Sequence, residues 1–304
     1  MKSQRRLSGT FSFSVAVALA SSLVFAGCNG GNGLAKLPPV TPAQVNAITS
    51  RVKATDYYVV MHPGDAPDPA MLRTLHDQWH ARGIRMDYVE GDPSLYDALV
   101  TNALAVGLKV LLITPYTTTG GTVDAYAQAV GTAARRYAGH GLTWEIYNEP
   151  DSRLDKSLGV GLTGYITLAK ATAKAIRAND PGATILTGGT SGIDSPHFTF
   201  AIAAAKALAP YVDGASIHPY GIDYGSFGSA VAEVATATGL PVYLTEWGNN
   251  DGQGLAQAMA SAKGLTAIFG AYEYQEQASE IAAGDADWGL KDTGAWQAFA
   301  AAAK

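Results

Sequence analysis

Glu149 and Glu246 are the side chains in this sequence best suited to covalent chemistry. Each lies in a segment dense with polar and aromatic residues: 143–151 reads TWEIYNEPD and 241–250 reads PVYLTEWGNN. Two carboxyl groups held about 5–5.5 Å apart can divide a displacement at an acetal carbon, one attacking carbon while the other protonates the departing oxygen. At that distance, in an effective dielectric near 20, two carboxylates repel by about 3 kcal/mol. One of the pair therefore keeps its proton and the other needs a cation beside it, for which Arg85 is the candidate. Once the attacking group has become an ester its charge is gone, and its partner is free to act as a base toward water.

Chemistry of this kind needs a rigid frame, and the chain has a rhythm that supplies one. Short apolar, β-branched runs alternate with Ala-rich segments of helical period, without a short sequence repeat. Strands are predicted at 57–62, 84–89, 109–114, 143–147, 184–187, 214–217, 242–245 and 265–271. Intervening helices include 69–82, 93–106, 122–137, 164–178 and 200–208. Met71, Leu72, Leu75 and Trp79 form an apolar stripe along one of these. Gly83, Gly107 and Gly239 follow helical segments, where a left-handed cap favours glycine, and Pro69 and Pro93 stand near helix starts.

Eight strands alternating with helices imply a parallel sheet, closed or open. An open doubly wound sheet usually carries a glycine-rich phosphate loop after its first strand, whereas this first strand runs into His62-Pro63-Gly64-Asp65. The expectation is an α/β fold, a single-domain (β/α)8 TIM barrel, and the 304 residues accommodate the roughly 250 such a barrel needs.

Functional residues of a barrel lie at the C-terminal strand ends. That rule gathers His62, Arg85, Asp87, Tyr116, Asn148 and Glu149 from the first four strands. It adds His218 and Tyr220 from the sixth, Glu246 and Trp247 from the seventh, and Tyr272 and Tyr274 from the eighth. Acids, amides and aromatic faces on one rim suit a sugar: carboxylates react, amides and His fix hydroxyls, and rings stack on ring faces. Simpler readings stand beside this one. Glu149 would serve as an acid at a helix N-terminus, Glu246 as a structural ion-pair partner, Trp144 and Trp247 as packing, and His218 as a satisfied core residue. Glu145 shares a strand face with Glu149 and reads as a buried structural acid, so Arg85 suits it as well as it suits Glu246. Asp151, Asn249 and Asn250 either cap helices or meet substrate.

The segment Trp144-Glu145-Ile146-Tyr147-Asn148-Glu149-Pro150 resembles the strand-four motif of clan A (4/7 superfamily) glycoside hydrolases. Thr245-Glu246-Trp247-Gly248 resembles their strand-seven motif, and Arg85 in GIRMD and His218-Pro219-Tyr220 also match. The likeness runs from about Tyr57 to the C-terminus, and families 39 and 5 are the nearest branches. It implies a retaining β-glycosidase with Glu149 as acid/base, Glu246 as nucleophile and Asn148 on the substrate's 2-hydroxyl. Arg85 would keep Glu246 ionised, and His218 and Tyr220 would support the carboxylates. Strand eight departs from the pattern, since Tyr272 or Tyr274 stands where many members carry a Trp floor.

Composition narrows the partners. A net charge of −5 and a pI near 5.6 argue against nucleic acid and anionic membrane surfaces, and a neutral or weakly charged ligand, a sugar among others, fits this balance more easily. Residues 1–27 read as a lipoprotein-type signal peptide: Lys2, Arg5 and Arg6 precede an apolar run that ends Leu23-Val24-Phe25-Ala26-Gly27-Cys28, resembling a lipobox with Phe25 in place of Leu. Cys28, the sole cysteine, is the expected lipidation site, and 28–42 is a flexible tether ahead of the domain at 43–304. The expectation is thus a monomer exported to the bacterial envelope and held to the membrane by its lipid alone. No required metal or cofactor is expected, because no cluster has ligand spacing along the chain. Short segments after strands four and seven favour an open cleft and endo cleavage. An exo-acting β-xylosidase or α-L-arabinofuranosidase, or a non-catalytic glycan-binding lipoprotein, are the alternatives.

Overall fold

The computed structural model describes residues 36–304 apart from 66–67, 119, 194–195, 250, 277–280, 283 and 285–286. Cys28, the signal peptide and Asn250 lie outside the described residues. Eight strands run parallel: β1 (Asp56–Met61), β2 (Gly83–Asp87), β3 (Lys109–Ile113), β4 (Thr143–Ile146), β5 (Thr184–Thr187), β6 (Ala215–Ile217), β7 (Val242–Gly248) and β8 (Ile268–Tyr272). Neighbours in the chain pair with one another, and β1 pairs with β8. Between β5 and β6 a single bridge, Leu186 to Gly214, closes the ring. The result is a single-domain (β/α)8 TIM barrel.

Around it lie α1 (Pro42–Thr49), α2 (Pro69–Asp77), α3 (Pro93–Ala105), α4 (Val123–Arg136), α5 (Pro150–Arg153), α6 (Gly161–Asn179), α7 (His197–Leu208), α8 (Phe227–Thr238) and α9 (Gly252–Ala262). The short α10 (Leu290–Thr293) and α11 (Trp296–Ala302) finish the chain. Side-chain caps start several of them: Asp68, Asp92, Thr122 and Asp251 each accept from a backbone N–H of the first turn. The stretch read as a tether ends sooner than predicted. The Leu37 N–H donates to Ser226 Oγ, Leu37 and Val40 pack on the core, and α1 begins at Pro42 with a Thr41–Gln44 capping box.

Strand alternation sorts the core into two parts. Tyr57, Val59, Met61, Ile84 and Met86 face the helices, while Tyr58, Leu111, Ile113, Leu186 and Ile268 form an apolar plug inside the barrel. Above the plug the interior turns polar, with Arg85, Glu145, Ser216 and Thr245 all buried.

Two predicted boundaries moved for identifiable reasons. The helix expected to reach 82 stops at Asp77, because His80 adopts a left-handed φ of 58° and turns the chain into β2. Gly83 is not a helix cap. It opens β2, and a Cβ there would lie 2.4 Å from the ring of Tyr58, so the interior tyrosine occupies the space glycine vacates. Gly107 and Gly239 do adopt left-handed φ values of 88° and 74° after their helices. Gly83→Ala should therefore destabilise the barrel by about 2 kcal/mol, roughly 5 °C in Tm, read by thermal unfolding. An unchanged Tm would show that the plug is not packed against this glycine.

Candidate active site

Two backbone irregularities aim the carboxylates. After β4 the chain passes through left-handed conformations at Tyr147 (φ 71°) and Glu149 (φ 49°). A non-glycine residue in this region costs of order 1–3 kcal/mol and persists only when its surroundings hold it there. Tyr147 N–H donates to Thr114 Oγ1, its hydroxyl donates to Arg153 O and accepts from Asp155 N–H, and Glu149 N–H donates to Gly189 O. The zigzag directs Asn148 and Glu149 in succession toward the barrel axis. On β7 the pairing shifts: Leu244 opposes Phe269 but Trp247 opposes Ala271, so three steps on one strand match two on the other. This bulge lets the consecutive Thr245 and Glu246 both reach inward.

Arg85, 1% exposed, joins what these irregularities deliver. Its Nε donates to Glu145 Oε2 (2.8 Å), its Nη1 to Glu246 Oε2 (2.6 Å) and its Nη2 to Asn148 Oδ1 (2.8 Å). The two partners proposed for Arg85 are held at once. Glu145 is the structural acid: its Oε1 accepts from Gly189 N–H, Ser216 Oγ and Thr245 Oγ1. Asn148 Nδ2 donates to the Tyr116 hydroxyl at 3.1 Å, and the amide keeps a second N–H for a ligand. The Tyr220 hydroxyl donates to Glu246 Oε1 at 3.2 Å. His218 Nδ1 lies 3.6 Å from Glu149 Oε1. Gly189 must be glycine here, since a Cβ would come within 2.2 Å of the His218 ring.

Carboxylate oxygens of Glu149 and Glu246 and a ring nitrogen of His218 all lie within 4.8 Å of one another. These three come from the ends of β4, β6 and β7, a proximity that no spacing along the chain reveals. Such a trio has the spacing of metal ligands, yet both acids already carry a guanidinium, Arg85 on Glu246 and Arg153 on Glu149. Burial opposes charge on Glu246, but His218, Arg85 and Arg153 outweigh it and hold its carboxyl below the usual range. Burial also opposes charge on His218, while Glu246, Glu145 and Glu149 favour it and raise its pKa to about 9. Glu145 is held far below the ordinary range, with Arg85 and His218 overcoming the cost of burial.

Of the residues expected at the rim, Arg85, Asp87, Tyr116, Asn148, Glu149, His218, Tyr220, Glu246, His62 and Tyr272 gather around this centre. Asp87 Oδ1 is buried without a hydrogen-bond partner, and burial raises the carboxyl's pKa. Two expectations are corrected. Trp247 follows the bulge outward and packs edge-on against Phe227 and Tyr224. Tyr274 lies beyond β8, donates its N–H to Val60 O and packs its ring on Trp79. Tyr272 is therefore the strand-eight aromatic of the site. Asn249 and Asp151 serve the frame: Asn249 binds the Tyr224 hydroxyl and Asp251 N–H, and Asp151 binds Ser191 and His197. Arg153 stands in no motif and was not expected, and Glu273 stands between the two strand-eight tyrosines with no role that sequence assigns.

A profile of the family described as cellulase, glycosyl hydrolase family 5, matches residues 94–282. A search of curated protein sequences finds no significant match. Among solved structures, the endoglucanase Cel5A of Thermotoga maritima is 15% identical with a TM-score of 0.58, over 87% of this chain and 100% of that one. The endo-1,4-β-mannanase of Rhizomucor miehei is 11% identical with a TM-score of 0.56, over 72% of this chain and 86% of that one. A family 30 endoxylanase from Clostridium papyrosolvens is 14% identical with a TM-score of 0.56, over 72% of this chain and 64% of its own length. At these identities the likeness is one of fold.

The wall between β1 and β8 carries its own ion pair. His62 Nε2 contacts Glu273, which is fully buried, and lies 3.2 Å from the Tyr272 hydroxyl. Burial lowers the imidazole's pKa, but Glu273, followed by Asp87 and Asp65, more than reverses this and lifts it to about 9. A pKa raised on folding favours the protonated ring. The pair thus contributes stability that is complete below the ordinary histidine pKa of about 6.5 and is lost as pH rises through 9. In histidine-labelled protein, the His62 ring should titrate by NMR near pH 9 and fall to 6.5 or lower in Glu273→Gln. A midpoint unmoved by that substitution would show that Glu273 does not set the charge.

Proposed function

The chain belongs to glycosyl hydrolase family 5, the cellulase family, and we propose that it cleaves β-glycosidic bonds within a poly- or oligosaccharide by double displacement. It is an O-glycosyl hydrolase of the retaining clan A type. The observation that carries the mechanism is the 4.8 Å limit on the closest approach of Glu149 and Glu246. Retaining pairs stand about 5–5.5 Å apart, whereas inverting pairs need roughly 6.5–9.5 Å to admit a water.

Glu246 attacks the anomeric carbon. Its charge is fixed by Arg85 on one oxygen, and the Tyr220 hydroxyl steadies the other. Glu149 protonates the departing oxygen and later takes a proton from water. Asn148, oriented by Arg85 and Tyr116, gives its remaining N–H to the 2-hydroxyl, a contact that tightens as the oxocarbenium ion develops. Tyr272 forms the aromatic floor, and His62, Asp87 and Tyr116 receive further hydroxyls.

Endo action is supported by the relatives of this fold, whose names specify an endoglucanase, an endo-mannanase and an endoxylanase. The N-terminal sequence supports action outside the cytoplasm, with Cys28 as the lipid-bearing anchor.

A panel of β-glucan, xylan and mannan with product analysis identifies the substrate. On it, Glu149→Gln and Glu246→Gln should each lose a factor of about 100 or more in turnover. Near-normal activity in either variant removes that residue from its role. Proton NMR of the first product should show the β-anomer, and initial α-anomer would exclude double displacement.

A further inference from the structure

An indole that no motif marks stands on the rim beside the candidate nucleophile. Gly248 follows Glu246 by two residues and, with Trp247 sent outward by the bulge, faces the barrel interior again. It opposes Tyr272 on β8. A Cβ at Gly248 would lie 3.0 Å from Trp288 Cε3 and 3.1 Å from Tyr272 Cδ1. The space that a side chain would fill here is therefore bordered by two aromatic rings, one from β8 and one from the segment leading into α10.

The backbone holds Trp288 in this place. Its N–H donates to Glu276 Oε2 at 3.1 Å, and its carbonyl accepts from Glu273 N–H. The next residues are fixed as well: Leu290 N–H donates to Glu273 O and Lys291 N–H to Tyr274 O. Glu273, Glu276 and Leu290 are all buried, whereas Trp288 itself is only half-buried. A single aromatic at a surface is ordinary. This one is pinned by buried partners against the inward face of β7, two residues from Glu246, so presenting it to a ligand costs little further ordering.

We propose that Trp288 stacks on the second sugar of the glycone and that the substrate is accordingly a chain of β-linked pyranoses; this rests on Glu149 and Glu246 being the catalytic pair. Glu149, at the end of β4, marks where the departing oxygen leaves. β8 stands four strands away around the ring in either direction, so the β7–β8 wall faces the part of the substrate that stays on Glu246. Tyr272, the last residue of β8, serves the sugar that reacts, and Trp288, borne by the chain beyond the strand, meets the next one. A β-linked pyranose carries most of its hydroxyls around its edge, which leaves C–H groups on its faces to pack on an indole. A single terminal furanose has neither that flat face nor the length to reach Trp288.

The test compares the full chain with Trp288→Ala and Trp288→Phe. The substrates are 4-nitrophenyl β-glycosides of glucose, xylose and mannose and of the matching β-1,4-disaccharides. A common leaving group confines the comparison to the glycone. The unsubstituted chain should prefer the disaccharide. In Trp288→Ala that preference, the ratio of the two kcat/KM values, should fall about tenfold, mainly through KM, and Trp288→Phe should keep most of it. A ratio that stays put overturns the proposal, whether activity falls equally on both substrates, as lost packing would cause, or not at all. Calorimetric titration of cellohexaose, xylohexaose and mannohexaose, with each Trp288 variant placed in the Glu246→Gln background, separates the platform from the catalytic reading. Binding about tenfold weaker in Trp288→Ala supports the platform even where the unsubstituted chain turns nothing over, an outcome that removes the hydrolase alone. Turnover combined with binding indifferent to Trp288 removes the platform alone. A chain that neither binds nor cleaves any of the three overturns both.

Discussion

A guanidinium buried at the centre of the barrel is tolerable only if every N–H it presents finds an acceptor, and the upper half of this molecule is arranged around meeting that demand for Arg85. Its partners are a structural acid, the amide beside the candidate acid/base, and the candidate nucleophile. Glu145 extends the requirement outward through Gly189, Ser216 and Thr245. One carboxylate and one guanidinium thus tie together β2, β4, β6, β7 and the loop after β5. Removing one partner of a buried pair typically costs about 3–5 kcal/mol, because the charge left behind has no water. The network therefore fixes strand positions as firmly as the apolar plug beneath it.

Geometry on this frame is obtained by departing from ideal strands. A regular β4 would alternate Asn148 and Glu149 to opposite faces, and a regular β7 would do the same to Thr245 and Glu246. Left-handed residues solve the first problem and a bulge solves the second. Both allow a structural side chain and a reactive one to share the interior. Asn148 binds Arg85 while Glu149 meets His218, and Thr245 binds Glu145 while Glu246 meets Arg85. The strain at Tyr147 and Glu149 is borne by hydrogen bonds that Thr114 Oγ1 and Gly189 O accept and that Asp155 N–H donates.

The barrel was legible because its signal is repeated: eight apolar runs alternate with segments of helical period, and boundary errors of a few residues leave the order intact. Glu149, Glu246, Asn148 and Arg85 were legible because strand ends point to one rim. Legibility failed where regular alternation did. Trp247 reads as a rim residue if β7 is counted as ideal, and the bulge sends it to the helices. Tyr272 and Tyr274 are equivalent in sequence, and only the path of the chain beyond β8 sends one to the site and the other to Trp79. Arg153 and Glu273 had no motif to mark them. The i+4 spacing of Arg153 from Glu149 was nevertheless present in the sequence as a helical ion-pair signal, hidden because α5 is only one turn long.

The charges of the site offer a reason for a neutral substrate that is more local than the net charge of the chain. Arg85 compensates Glu145 and Glu246, Arg153 lies on Glu149, and His62 lies on Glu273. A sugar entering this rim meets charges already paired, so discrimination falls to hydroxyl geometry and to the aromatic floor. The Tyr272 hydroxyl lies 3.2 Å from His62, whose charge is favoured by Glu273. The ring on which a sugar would stack is thereby coupled to the β1–β8 ion pair. The end of strand eight thus places this aromatic and the buried pair on one wall, while Arg85 from β2 and Arg153 from α5 hold the two carboxylates.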